Sequence, residues 1–171
     1  MELPLVGAVV RSWHQSDAKS LARHANNRKV SLNLRDAFPH PYSEDDGRKF
    51  IAMAQGMKPE TFFAIAVDGQ AAGGIGYTLH QDIERVAAEL GYWLGEEFWG
   101  RGIMTDAVRA VTSYAIAQHQ LTRVYAVPYD WNAASCRVLE KAGYVREARM
   151  RRSAIKDGRV IDQFLYAFVT E

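Results

Sequence analysis

A chain of 171 residues, 48% hydrophobic and 24% charged, can bury one substantial core and leaves no room for a second full domain. Twenty-one Lys and Arg against 20 Asp and Glu give a formal charge of +1, so no basic field points to nucleic acid and no acidic block to a solvated tail. The one cysteine, Cys136, excludes an internal disulfide framework, and His14, His24, His40, His80 and His119 lack the short spacings of a zinc site.

The first residues, Met1 to Gly7, do not pair a basic segment with a long apolar run, and no window reaches the length of a membrane span. The expectation is a cytoplasmic protein without metal, membrane or nucleic-acid partners. Val6 to Trp13 is rich in β-branched residues and reads as the first strand. Ser16 stands where it can cap a helix whose Ala18, Leu21, Ala22 and Ala25 recur at helical spacing. Phe38-Pro39-His40-Pro41-Tyr42 must be a loop, because each proline lacks an amide donor and pushes its predecessor out of the helical region. Ser43 then caps a helix from Glu44 to about Gln55. Thr61 to Val67 and Gln70 to Thr78 are apolar runs around Asp68-Gly69, a strong hairpin signal, and Val86 to Leu94 continues the strands.

Ile103, Ala107, Val108, Val111, Tyr114 and Ala115 trace a long amphipathic helix, followed by an apolar strand near Val124 to Val127. Ala134, Val138, Leu139 and Ala142 share one face of the next helix, with Gly143 at the position of a left-handed cap. Tyr144 to Ile155 and Val160 to Val169 close the chain as strands joined by Lys156-Asp157-Gly158-Arg159. With no repeat, low-complexity tract or linker, residues 1–171 read as one α/β (α+β) domain, a mixed sheet with helices packed on it.

The stretch Glu89 to Thr105 runs from a strand through a glycine-punctuated loop into a helix, an arrangement that suits phosphate. Gly100 and Gly102 open backbone conformations closed to other residues, so that successive amides can converge on one anion. The free amides at the start of the following helix, those of Ile103, Met104 and Thr105, add the positive end of its dipole, and Arg101 a full charge. The same tripeptide also serves as a plain tight turn before an amphipathic helix. Neither Gly-x-x-x-x-Gly-Lys-Ser/Thr nor Gly-x-Gly-x-x-Gly is present here, which disfavours a nucleoside triphosphate or a dinucleotide.

Three segments in order, Gly91-Tyr-Trp-Leu94, Trp99-Gly-Arg-Gly-Ile-Met-Thr105 and Asn132-Ala-Ala-Ser-Cys-Arg-Val-Leu-Glu-Lys-Ala-Gly-Tyr144, resemble the successive cofactor signatures of GNAT acetyltransferases. Asn33-Leu-Arg-Asp-Ala-Phe-Pro-His-Pro-Tyr-Ser43 leading into a helix resembles the RimJ/RimL-type subgroup, so the resemblance covers nearly the whole chain. It implies a splayed sheet of about seven strands and acetyl-CoA as acetyl donor. In that family a Gln/Arg-x-x-Gly-x-Gly/Ala loop binds the coenzyme pyrophosphate through its amides. Trp99, Gly102 and Met104 fall at those positions, so two of the three differ and only Gly102 keeps the conformational requirement. The resemblance also implies that the pantetheine arm adds to the exposed edge of Glu89 to Leu94, bringing in Trp93 and Leu94, and that Asn132, Ser135 and Arg137 serve the same cofactor.

Transfer to an amine requires a neutral nucleophile, a polarised thioester carbonyl and a proton for the departing thiolate. Glu89, on one strand face with Ala87, Gly91 and Trp93, is the candidate base; it is equally an edge-strand glutamate or a partner for Arg85. By resemblance Ser135 borders the thioester sulfur and can protonate the thiolate, although Ser135 and Asn132 equally fit ordinary helix-start capping. The resemblance further makes a backbone amide of the splayed strand the group that polarises the carbonyl. For Cys136, packing outweighs nucleophilic chemistry, since no histidine is near in sequence. Arg149, Arg151 and Arg152 form a basic cluster, with Arg149 and Arg151 expected on one side of a strand. By resemblance the loop from Arg35 to Tyr42 lines the acceptor entrance, with Phe38, His40 and Tyr42 as walls; the same aromatics can instead anchor the loop to the core. The acceptor implied is a primary amine, either a protein N-terminus or a small molecule, and a non-catalytic acyl-CoA-binding module is the alternative. Monomer and homodimer are both compatible with the sequence.

Overall fold

Eight strands and five α-helices make up the chain, and the computed structural model describes all of it, Met1–Glu171. In order they are β1 (Glu2–Leu5), β2 (Ala8–Arg11), α1 (Ala18–Ala25), α2 (Arg28–Ser31), α3 (Glu44–Gly56), β3 (Phe62–Val67), β4 (Gln70–Leu79) and β5 (Ala87–Leu94). There follow α4 (Ile103–His119), β6 (Arg123–Ala126), α5 (Ala133–Lys141), β7 (Val145–Lys156) and β8 (Arg159–Val169). The strands form one mixed sheet in the order β1-β2-β3-β4-β5-β6-β8-β7. By contact density the residues divide into two compact units, Met1–Gly76 with Tyr92–Ala107, and Tyr77–Gly91 with Val108–Glu171.

In the first unit, the strand expected over Val6 to Trp13 is present as β2, and it is the second arm of a hairpin whose first arm, β1, the sequence reading did not expect. Glu2–Leu5 pairs antiparallel with Ala8–Arg11 across Val6-Gly7, and Gly7 takes φ 72°. The extra strand raises the expected count of about seven to eight. Pro4 is accommodated because β1 is an edge strand. Ser16 does not cap α1. It is exposed within a 3₁₀ turn, Gln15–Asp17, and Asp17 stands at the cap position with its side chain turned to other partners: its carboxylate accepts the His14 amide at 2.8 Å and two hydrogen bonds from Arg11 at 2.7 and 2.9 Å. A nearly buried carboxylate needs those partners, whereas an exposed serine satisfies itself in water. Ser43 does cap α3, accepting the Asp46 amide at 3.1 Å while Asp46 accepts the Ser43 amide at 2.8 Å. Trp13, Leu21, Ala25, Tyr42, Ile51 and Ala64 lie in one apolar core, with Phe38, Phe50, Phe62 and Trp93 packed on it.

In the second unit, β5 and β6 run parallel for three pairs only, Ala87↔Arg123, Ala88↔Val124 and Glu89↔Tyr125, after which β5 runs on to Leu94. β6 pairs antiparallel with β8, and β8 with the long edge strand β7. Gly143, at φ 92°, ends α5 as the sequence predicts, with the Tyr144 amide bonding back to the Leu139 carbonyl at 3.0 Å. Arg149 and Arg151 are both exposed and both act on the Asp162 carboxylate, but the regular pairing of the strand breaks between them. Met150 faces Gln163 and Ala154 faces Ile161, so Arg151, Arg152 and Ser153 bulge out opposite Asp162, with Arg152 at φ 52°.

Candidate active site

The glycine loop of the first unit is left-handed at two positions. Gly100 and Gly102 take φ 75° and 80°, and a Cβ on either would meet nothing within 4 Å, so the constraint at both is backbone conformation rather than space. Asp106 is the residue of α4 whose amide reaches the Gly102 carbonyl, at 3.2 Å, so the amides of Ile103, Met104 and Thr105 precede the first helical acceptor. Those three residues are buried at the start of the helix. Arg101 and Gly102 are exposed.

The loop is tied down from both sides within its unit. Trp99, whose position departs from the family pattern, donates its indole N–H to the Leu94 carbonyl at 2.7 Å and so closes the turn between strand and glycines. Arg101 donates to the Glu97 carbonyl at 2.8 Å and lies over the Phe98 ring, so part of its hydrogen-bonding capacity is already used. Two acids beside a phosphate loop would repel the ligand unless neutralised. Glu96 is neutralised by the Lys29 ammonium and accepts a hydrogen bond from Asn27 Nδ2 at 2.8 Å; Glu97 lies 3.4 Å from Arg23 and 3.3 Å from His24 Nδ1. Lys29, Asn27, Glu96 and Glu97 escaped the sequence reading because their partners lie 67 or more residues away and belong to no motif.

In the second unit, Glu89 is half-buried between Ala88 and Leu90, both buried, and holds the last pairing position before β5 leaves β6. Its register partner Tyr125 shares a 2.8 Å hydrogen bond with His80 Nε2, and the two rings stack. Asn132 caps α5, its Oδ1 accepting the Ser135 amide at 3.2 Å, which leaves the Ser135 hydroxyl clear of that bond. Cys136 is buried, and burial pushes its thiol up from the ordinary range despite a contact with the Tyr166 hydroxyl; a thiol so held is a poor nucleophile. Arg137 is exposed on α5.

The acceptor candidates separate. Tyr42 is buried in the first unit's core, with its hydroxyl pushed up to about 12, by burial first and by Asp46 second. Phe38 packs on the same core, 4.9 Å from the Tyr42 ring and 5.5 Å from Trp93, whereas His40 is exposed. Leu94 is buried and Trp93 half-buried in that unit, with Gly73 pressed so close to both that a Cβ there would lie 2.4 Å from the Trp93 carbonyl. No helix is long and apolar enough to cross a membrane.

Residues 8–145 match the family model of the acetyltransferase (GNAT) domain. The N-acetyltransferase YoaA of Bacillus subtilis (strain 168) is 33% identical over 82 residues, 48% of this chain and 46% of that protein. The ribosomal-protein-serine acetyltransferase of Escherichia coli (strain K12) is 25% identical over 132 residues, 75% of this chain and 73% of that protein. The chain spans about half the length of the first curated relatives it matches, 55%, 39%, 49% and 46%. Among solved structures, RimL, a ribosomal α-N-protein acetyltransferase in complex with coenzyme A, superposes with a TM-score of 0.87 at 21% identity, over 99% of this chain and 98% of that one. That likeness concerns the fold.

Proposed function

We propose that this chain, which belongs to the acetyltransferase (GNAT) family, moves an acetyl group from acetyl-CoA to a primary amine by direct transfer in a ternary complex. The observation that carries the reading is the left-handed pair Gly100 and Gly102 set ahead of the free amides of α4. These residues fit a pyrophosphate: the amides supply donors, the glycines leave its approach unobstructed, and Arg101 adds charge at the mouth. Trp93 and Leu94 serve the pantetheine arm along β5 together with Asn132, Ser135 borders the thioester sulfur, and Arg137 serves the same cofactor. When bound, acetyl-CoA supplies an activated acyl carbon.

Glu89 takes the proton that the ammonium form of the acceptor must lose, and Ser135 gives one to the thiolate as it leaves. A backbone amide of β5 polarises the carbonyl. Phe38 and Tyr42 fix the loop, and exposed His40 meets the acceptor. A protein N-terminus is the favoured acceptor, because the relative named above acts on a serine of a ribosomal protein and RimL is an α-N-protein acetyltransferase.

Melting scans with coenzyme A, ATP and NAD test the cofactor, since a ligand that binds only the folded state adds RT ln(1 + [L]/Kd) to stability. Thiol release from acetyl-CoA with a panel of peptides and small amines tests the reaction. A rise in Tm with coenzyme A alone, together with amine-dependent thiol release, is expected. No rise at millimolar coenzyme overturns the cofactor reading. A rise without release to any amine selects the non-catalytic acyl-CoA-binding module.

A further inference from the structure

Opposite Asp162, the edge strand β7 carries Arg151, Arg152 and Ser153, all exposed. The excursion is built rather than frayed. Asp162 accepts the Arg152 amide at 2.8 Å and Arg149 Nε at 2.7 Å, and the Ser153 hydroxyl contacts the Met150 carbonyl at 3.0 Å and Gln163 Oε1 at 2.9 Å. The acids nearby are committed: Asp162 pairs with Arg149, Asp130 lies 3.8 Å from the same guanidinium, and Glu147 pairs with Arg123. No ion pair or hydrogen bond engages the guanidinium of Arg151 or Arg152, and Arg151 gives Asp162 only a longer-range attraction, so two adjacent exposed cations remain, one on a residue at φ 52°. Like charges side by side and a left-handed arginine both work against folding, and such strain persists where a ligand uses it.

The far side of β8 fixes where the bulge lies. The Asp162 carbonyl accepts the Asp130 amide at 3.2 Å, Gln163 bridges to Tyr129, and the Phe164 amide donates to the Pro128 carbonyl at 2.9 Å. The bulge is therefore two strand spacings, about 9.6 Å of sheet across β8, from the segment that runs through Trp131 into Asn132 and α5. Guanidinium forks match carboxylates in pairs of parallel hydrogen bonds. The spacing from α5 suits a chain whose amine and acidic side chains are separated by intervening residues, as in a peptide.

We propose that the Arg151–Arg152 bulge binds carboxylates of the acceptor, so that the amines acetylated are those of acidic peptide N-termini. This rests on the transferase reading above. Two labelled peptides, an N-terminal serine followed by glutamates and the same peptide with glutamines, are compared by fluorescence anisotropy and by thiol release. The proteins are the wild type, an Arg151→Glu/Arg152→Glu double variant, and Asp162→Asn, which frees the bulge without altering its arginines. The wild type should bind the acidic peptide about tenfold tighter, with the preference shrinking as salt screens the pairing. The double variant should lose or reverse the preference, with the change in KM rather than kcat, and Asp162→Asn should weaken it. Equal affinities in the wild type, a preference that survives double substitution, or binding that single-stranded RNA satisfies better than the acidic peptide overturns the inference. Acidic preference without thiol release would sink the transferase reading and spare the anion site; release without preference does the reverse.

Discussion

A carboxylate serves as a base towards an ammonium when it is near water yet not saturated by it, and half-buried Glu89, flanked by buried Ala88 and Leu90, meets that condition. Glu89→Gln keeps size and hydrogen bonding but removes the base. If the glutamate collects the proton, turnover should fall on the order of 100-fold at neutral pH. It should recover in part as pH rises, because more of the amine is then already neutral. Coenzyme binding should survive, since the phosphate loop begins beyond β5. Rates equal to wild type across the pH range would show that solvent supplies the base and that the residues act by alignment alone. Ser135 is a different case: its amide serves the α5 cap, so Ser135→Ala keeps that bond and isolates the hydroxyl.

The strand–loop–helix element from β5 to α4 makes its own prediction. At φ 80° a β-branched side chain is strained whatever the free space around it, by roughly 1–3 kcal/mol, so Gly102→Val should fold yet lose the coenzyme-induced rise in Tm. Retention of the full rise by a folded Gly102→Val protein would place the phosphate elsewhere. The same element shows what a sequence exposes. Gly100, Gly102 and Gly143 could be assigned because a left-handed residue has one cheap solution, and Ser43 because a capping box is local. Asp68-Gly69 closed the β3–β4 hairpin for the same reason, both residues having positive φ. The β1–β2 turn at Val6-Gly7 was lost in a run of β-branched residues, and α2 is one turn long, too short for periodicity to register. The candidate site divides similarly: its loop was readable, whereas the clamps from Asn27 and Lys29 onto Glu96 depend on tertiary contact, and the β7 bulge depends on Asp162.

Across the molecule, the two buried groups of the first unit that resist protonation both work against acid. Burial holds the His24 imidazole below its ordinary range, outweighing the pull of Glu97 at 3.3 Å, with Arg23 adding to the effect. For Asp17 burial raises the carboxyl, but the Arg11 hydrogen bonds and the His14 amide outweigh it and leave the group below the usual carboxylate range. In each case the unfolded chain binds the proton more readily than the folded one, so stability rises with pH and is lost as pH falls. The loss should come in two stages, the first starting near the unfolded histidine value of about 6.5 and the second near the unfolded aspartate value of about 3.9. Thermal melts from pH 8 to pH 3 would show both. His24→Gln, neutral throughout, should shrink the first stage to the part left by His119, whose imidazole burial also holds below its ordinary range, and leave the second. Asp17→Asn should flatten the second and already lower Tm at neutral pH, because Arg11, at 14% exposure, then keeps a largely buried charge without its partner. Breaking such a pair costs roughly 2–4 kcal/mol, or about 5–15 °C for a chain of this size. A stability profile that stays level from pH 8 to pH 5 in the wild type, or one whose first stage is undiminished in His24→Gln, would remove His24 from the account. In the second case the differential proton uptake would lie with His119, the other imidazole that burial holds low.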